Sequence, residues 1–163
     1  GACSAALRYE HPVRELVSRF KFQGDLACGR MLAGLLARRL AALPPARRTG
    51  VVLVPVPLHP ARLRERGFNQ SERIARVLAA ELGLALANTL VRRVQRTADQ
   101  KQLGAAARSR NLQGAFHATG CAGRRIALVD DVITTGATAE AVTAELFAAG
   151  AAQVEVWCLA RAL

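Results

Sequence analysis

A chain of 163 residues and 17.4 kDa is one domain, long enough to bury a core of its own. With 52% hydrophobic residues and a mean hydropathy of +0.16 it is not disordered, and its apolar runs are cut by Arg or Pro well short of a membrane span, with no signal-peptide pattern, which excludes membrane insertion. A net charge of +11 suits polyanionic partners, nucleic acid or phosphorylated small molecules; the bias to Arg over Lys reads in part as genome composition, and 4% aromatic residues leave little for a base-stacking platform.

From His11 to about Leu43 the spacing predicts two helices. Pro12 suits a first helical position, and Val13, Leu16, Val17 and Phe20 make one apolar face before Gly24 breaks the pattern. Asp25 then caps a second helix that buries Leu32, Leu35, Leu36 and Leu40. Lys21, just before the break, is either a solvated end-of-helix charge or a reach toward substrate. Pro44-Pro45 ends the second helix.

Val51 to Val54 reads as a buried strand that empties into Pro55-Val56-Pro57-Leu58-His59-Pro60, too proline-rich to continue a sheet. A rigid loop at a strand's carboxyl end is where open α/β sheets place ligands. The basic run Arg62-Leu63-Arg64-Glu65-Arg66-Gly67 follows. It is either a solvated loop or a clamp for pyrophosphate, whose oxygens match guanidinium forks in pairs. Position after a strand end favours the clamp. Within the loop, His59 is a hydrogen-bond donor or a structural side chain; His11 and His117 lack the partner spacing of a metal site. Asn69 with Glu72 has capping-box spacing and opens a helix through Leu82 that Gly83 ends.

Leu90 to Val94 reads as another strand, residues 95–110 as a long polar excursion of the kind that is disordered or a lid, and Leu112 to Phe116 as extended chain again. The four cysteines are scattered, without a Cys-x-x-Cys pair; Cys158 reads as a buried small hydrophobe, and a reducing cytoplasm fits the set. A final strand runs to Leu159, where Trp157 is packing rather than a stacking surface.

The stretch Ile126 to Thr138 carries the chemistry. Its four apolar residues, Ile126-Ala127-Leu128-Val129, read as a strand buried on both faces, and two acids, Asp130 and Asp131, stand where that strand should surface. Then come Thr134, Thr135, Gly136, Ala137 and Thr138, and a helical pattern from Ala139 to Phe147. Strand, small-residue turn and helix start form an anion cradle: free N–H groups and the helix dipole face the turn, and threonine hydroxyls add donors. Carboxylates repel phosphate but accept hydrogen bonds from a ribose diol, and magnesium offsets remaining charge. The string therefore asks for a ribose and a phosphate held one loop apart. An acid pair alone is common at strand ends; the complete string is not. It contains neither a nucleoside-triphosphate loop nor Gly-x-Gly-x-x-Gly.

This string resembles the signature of type I phosphoribosyltransferases, which bind 5-phosphoribosyl 1-pyrophosphate (PRPP). The resemblance implies that Asp130 and Asp131 face the ribose hydroxyls as the catalytic acids and that Thr134, Thr135, Gly136, Ala137 and Thr138 wrap the 5′-phosphate. Nearly the whole chain is similar to one branch, the ComF competence-protein family. The residues that carry this are Tyr9, Pro12, Lys21-Phe22 and Gly24, the Pro55–Pro60 loop, Arg66-Gly67-Phe68-Asn69-Gln70, Gln100 with Leu103, Arg108, Asn111, Gly114, Phe116, and Leu128 to Thr138. Phe68-Asn69-Gln70 after Arg66-Gly67 separates it from purine and pyrimidine salvage enzymes.

The resemblance implies an α/β fold with a central, mostly parallel sheet flanked by helices and a small hood from about residues 1–24. It gives Val56, Pro57, Leu58 and Arg66 to pyrophosphate, and Gln100, Lys101 and Arg108 to a flexible lid. Magnesium would enter with PRPP rather than on direct protein ligands. A competence helicase and single-stranded DNA are the implied partners. Full-length relatives of this type usually carry an N-terminal zinc-ribbon, which this sequence does not contain, either because it was trimmed off or because this member lacks it; the start at Gly1 rather than Met reads as a fragment.

Overall fold

The computed structural model describes residues 2–94, 112 and 114–162. Its centre is a five-stranded parallel sheet. The strands are β1 (Cys3–Arg8), β2 (Val51–Pro55), β3 (Ala85–Leu86), β6 (Arg125–Ile133) and β7 (Gln153–Arg161), in the order β1-β7-β6-β2-β3. Two shorter strands, β4 (Val91–Arg93) and β5 (Phe116–Ala118), form a separate antiparallel ribbon. The helices are α1 (Val13–Gln23), α2 (Leu26–Ala41), α3 (Pro60–Arg66), α4 (Gln70–Leu82) and α5 (Ala137–Ala148).

The central strands are apolar on both faces because both faces are covered. Along β6, Ala127 and Val129 face a core with Phe20, Leu32, Leu36, Ile74 and Leu78 of α1, α2 and α4. Ile126 and Leu128 face the other core, with Val142 and Leu146 of α5. Trp157 is fully buried and its indole N–H donates to Glu155 Oε2 at 3.3 Å, so it is packing, as the sequence indicates. Cys158 is likewise buried.

The expected caps are present. Gly24 ends α1 in the left-handed region at φ 68°, and the Asp25 side chain accepts from the Cys28 N–H at 3.0 Å to open α2. Five readings change. Leu35 of α2, expected on the buried side, is 40% exposed. The basic run after Pro60 is helix α3 rather than a loop: Pro60 is pre-set for a first turn, and His59 caps it by accepting from the Ala61 N–H at 3.2 Å. His59 is thus structural. The strand carrying the acids continues to Ile133, because β7 stays paired with it from Asp130 (opposite Cys158) to Ile133 (opposite Arg161). The strand expected at Leu112 to Phe116 lies instead at Phe116–Ala118, where it has β4 as partner. Residues 3–8, the start of the segment given to a hood, form an edge strand parallel to β7, and the chain then passes over the sheet's carboxyl end through Tyr9, Lys21 and Phe22.

The connections fix where a ligand can enter. After β2 the chain turns toward β3; after β6 it turns the opposite way, toward β7. The pair β6·β2 is therefore the switch point, where the departing loops leave a crevice at the strands' carboxyl ends. Among the described residues no helix is long and apolar enough to cross a membrane.

Candidate functional site at the switch point

The last residue of β2 paired with β6 is Pro55, opposite Val129. Beyond it Val56 makes one more hydrogen bond, N–H to Val129 O at 2.9 Å, and the proline loop then leaves the sheet. Asp130 and Asp131 come next on β6, flanked by β7 on one side and by the opening on the other. The resulting cavity has a volume of about 300 Å³, in the range of small-molecule sites. Val56, Pro57, Leu58, Arg66, Asp130, Asp131 and all of Thr134 to Thr138 line it. The lid residues Gln100, Lys101 and Arg108 lie outside the described residues.

The acids are deep rather than superficial, 8% and 3% exposed. Asp130 Oδ1 accepts from Ser71 Oγ at 3.1 Å and from the Asp131 N–H at 2.8 Å; Asp131 Oδ1 accepts from the Val132 N–H at 2.6 Å. Burial first, and then the neighbouring Asp131 charge, push the Asp130 carboxyl up from its ordinary 3.8 to about 7, against the pull of those hydrogen bonds and of Lys21. Lys21, from the last turn of α1, sets its Nζ 2.8 Å from Asp131 Oδ2. Of the two readings of Lys21, the reach into the site is the one observed.

The Asp130 arrangement has a stability signature. Between the ordinary carboxylate range and about pH 7 the native state holds a proton that the unfolded chain has released. Stability is therefore fully present below about pH 4 and declines as pH rises through 7. In urea melts from pH 4.5 to 8, Asp130→Asn is expected to flatten that decline, gaining on the wild type by about 3 kcal/mol across that range. Parallel pH profiles for the two proteins would remove the raised carboxyl.

The threonine turn forms part of the crevice wall. Gly136 takes φ 84°, a left-handed conformation that costs glycine little, and caps α5 without a side-chain hydrogen bond. Thr135 Oγ1 approaches the Ala137 N–H at 3.4 Å; Thr134 and Thr135 are exposed, and Glu140 Oε1 is the nearest atom to a Cβ built on Gly136, at 3.6 Å. The first N–H groups of α5 thus face the cavity beside the threonine hydroxyls.

The cavity also gathers cations. Arg62 and Arg66 are four apart on α3 and both line the cavity, while Arg64 and Glu65 do not, so the basic run divides into a clamp face and a solvent face. Arg66 is set in place by Gln70, whose Oε1 accepts from its Nη1 at 2.6 Å, and by the Phe22 ring, 5.3 Å below its guanidinium. Arg93 of β4 joins them, its guanidinium 5.4 Å over the Phe116 ring. Burial lowers the proton affinity of Arg66 and Arg93, and the charge of Arg62 lowers both further. An incoming polyanion relieves that repulsion.

Residues 68–71 assemble these parts. The Phe68 ring packs 5.6 Å from Phe20, tying α1 to the loop. Asn69 caps α4 through Oδ1, accepting from the Ser71 and Glu72 N–H groups at 3.0 and 3.4 Å, and its Nδ2 donates to Val56 O at 3.0 Å, pinning the proline loop. Gln70 holds Arg66 and Ser71 holds Asp130. The sequence marks the Asn69 cap but not the contacts to Val56 and Asp130, since those partners lie 13 and 59 positions away. It gives no role to Arg93 either; a strand assignment alone does not say which alternate residue faces a cavity.

Among the described residues no group of three or more His, Cys, Asp or Glu side chains is placed to hold a metal ion. Asp131 Oδ2, buried and without an aligned hydrogen bond, fits a cation that arrives with a ligand.

No protein-family model matches the chain. In fold it is similar to glutamine PRPP amidotransferase from B. subtilis, with a TM-score of 0.52 and 22% identity over 80% of this chain and 26% of that one. A second solved structure, the allosteric regulatory enzyme of purine biosynthesis, gives a TM-score of 0.50 at 23% identity, covering 80% of this chain and 25% of that one. The architecture is thus the type I phosphoribosyltransferase fold.

In sequence the chain is 38% identical to competence protein F of Haemophilus influenzae over 94% of its own length and 70% of that protein's. It is 40% identical to DNA utilization protein YhgH of Salmonella typhi over 95% and 70%, and 31% identical to competence protein ComFC of Streptococcus pneumoniae over 96% and 67%. At that similarity and coverage, the chain belongs to the competence protein F family.

Proposed function

We propose that the crevice binds PRPP, or a closely related ribose phosphate, with magnesium, and that the protein is a phosphoribosyltransferase-type component of DNA uptake. The observation that carries this is what one cavity gathers: a threonine turn at a helix start, two carboxylates, and Arg62, Arg66 and Arg93. A ligand with two anionic groups and a diol is complementary to that set; a lone phosphate leaves part of it unsatisfied.

The binding roles follow. The threonine turn takes the 5′-phosphate, Asp130 and Asp131 accept from the ribose hydroxyls, and the proline loop with the arginines takes pyrophosphate. In transfer, pyrophosphate leaves the anomeric carbon as positive charge develops on the ribose ring, and the acids lie where that charge forms. Magnesium supplies neutralisation of the leaving group's charge. The arginines stabilise the same group from the protein side, and the prolines hold their loop with little freedom left to lose on binding. The relatives carry competence and DNA-utilization names, and we take this chain to serve the same process in the cytoplasm, where its four free cysteines stay reduced.

Incubation with Mg-PRPP and a panel of nucleobases and amines, following pyrophosphate release, tests for turnover. Release with one acceptor class identifies the nucleophile; binding without release with any of them leaves a PRPP-binding protein that is not a transferase. A second reading, a non-enzymatic module for single-stranded DNA or a helicase, draws on the +11 charge and the relatives' names. DNA affinity that does not fall with salt removes phosphate contacts from it.

A further inference from the structure

The acid pair already holds a cation. Lys21 Nζ lies 2.8 Å from Asp131 Oδ2, with side-chain exposures of 21% and 4%. That oxygen is sealed from solvent, and the Lys21 ammonium is the cation set against it. The helix carrying Lys21 is fixed: Phe20 is 1% exposed, packed against Phe68, and so close over Gly29 that no side chain fits there. Only the flexible stem of Lys21 can move the ammonium. The residue type is informative as well. Arginine fills all but two of the 23 basic positions in the chain, yet an ammonium stands here. It is a compact charge that meets one carboxylate oxygen as a small hard cation does, where a guanidinium spans two.

We propose that Lys21 is the resident counter-ion of the acid pair. In the free protein it holds the place that a divalent cation would otherwise take at Asp131, and it gives way when the ribose diol arrives with its own cation. Two adjacent buried carboxylates attract hard divalent cations, and an ammonium in contact makes the empty site indifferent to them. The four-carbon stem then lets the same charge turn toward the phosphates of the bound ligand. Only this release step rests on the PRPP reading; the counter-ion role stands or falls without that ligand.

The test is thermal melting of the full chain in metal-free buffer and with millimolar MgCl₂ or MnCl₂, with KCl at matched ionic strength as control. Wild type and Lys21→Arg are expected to show no specific response. Lys21→Met is expected to melt lower without metal and to recover several degrees with either divalent salt but not with KCl. Lys21→Met combined with Asp131→Asn should lose that response and regain stability. A wild type that responds like Lys21→Met, or a Lys21→Met with neither lower melting nor a divalent response, overturns the proposal. If Lys21→Met alone does not fold, the double variant decides: recovered folding supports the charge pairing and continued failure contradicts it. PRPP affinity is measured separately, so a divalent response without PRPP binding sinks the ligand reading and leaves the counter-ion standing.

Discussion

Replacing both acids, Asp130→Asn with Asp131→Asn, is expected to remove Mg-PRPP binding while leaving the protein folded. On the proposed reading each carboxylate accepts from a ribose hydroxyl, and a hydrogen bond to a charged partner contributes about 1.5–3 kcal/mol. Losing two lowers affinity by about a hundredfold or more. Stability does not fall in proportion, because the free site confines two nearly buried carboxylates beside a single ammonium, a state strained enough to raise Asp130 to about 7. Neutral amides of the same shape keep the Oδ1 acceptors for Ser71 and the backbone and drop the repulsion. The diagnostic result is thus a split, binding lost and melting temperature held or raised at pH 8. Unchanged affinity in a folded double variant would place the sugar somewhere other than β6.

Gly29 and Gly34 lie on the same helix and are expected to respond to alanine in opposite directions. A Cβ at Gly29 would stand 2.4 Å from Phe20 Cε2 and 2.5 Å from Cδ2, and that ring has no retreat, being held against Phe68. The helix-propensity gain of about 1 kcal/mol is outweighed by overpacking of about 1–3 kcal/mol, and Gly29→Val costs more. At Gly34 the nearest atom is Glu81 Oε1 at 4.0 Å, so Gly34→Ala keeps the propensity gain. The damage at Gly29 also reaches the site, since Phe20 precedes Lys21 and Phe22; PRPP affinity should fall with stability there and be untouched at Gly34. Urea melts of the two alanine variants check the signs, and equal shifts would mean that the Phe20–Gly29 contact is not tight.

What could be read from the chain alone follows a physical division. The acids, the threonine turn and the start of α5 are contiguous, so their geometry is set by local backbone and was legible. The caps at Asp25 and Asn69 were legible for the same reason. Strand β1 was not, because Cys-Ser-Ala-Ala-Leu-Arg has little β propensity and is a strand only through its pairing with β7. Helix α3 has no buried residue and so no apolar period to read; its proline and His59 cap define it. Ser71 and Asp130 are 59 positions apart, and Asn69 and Val56 13 apart, distances over which only the folded chain brings partners together.

The most direct measurement is calorimetric titration of the wild-type protein with Mg-PRPP, with ribose 5-phosphate and pyrophosphate titrated separately. A crevice built for both ends of the ligand and the diol between them should bind PRPP at one site and more tightly than either fragment. A folded wild type that takes up no PRPP, or that binds pyrophosphate just as tightly, would contradict it.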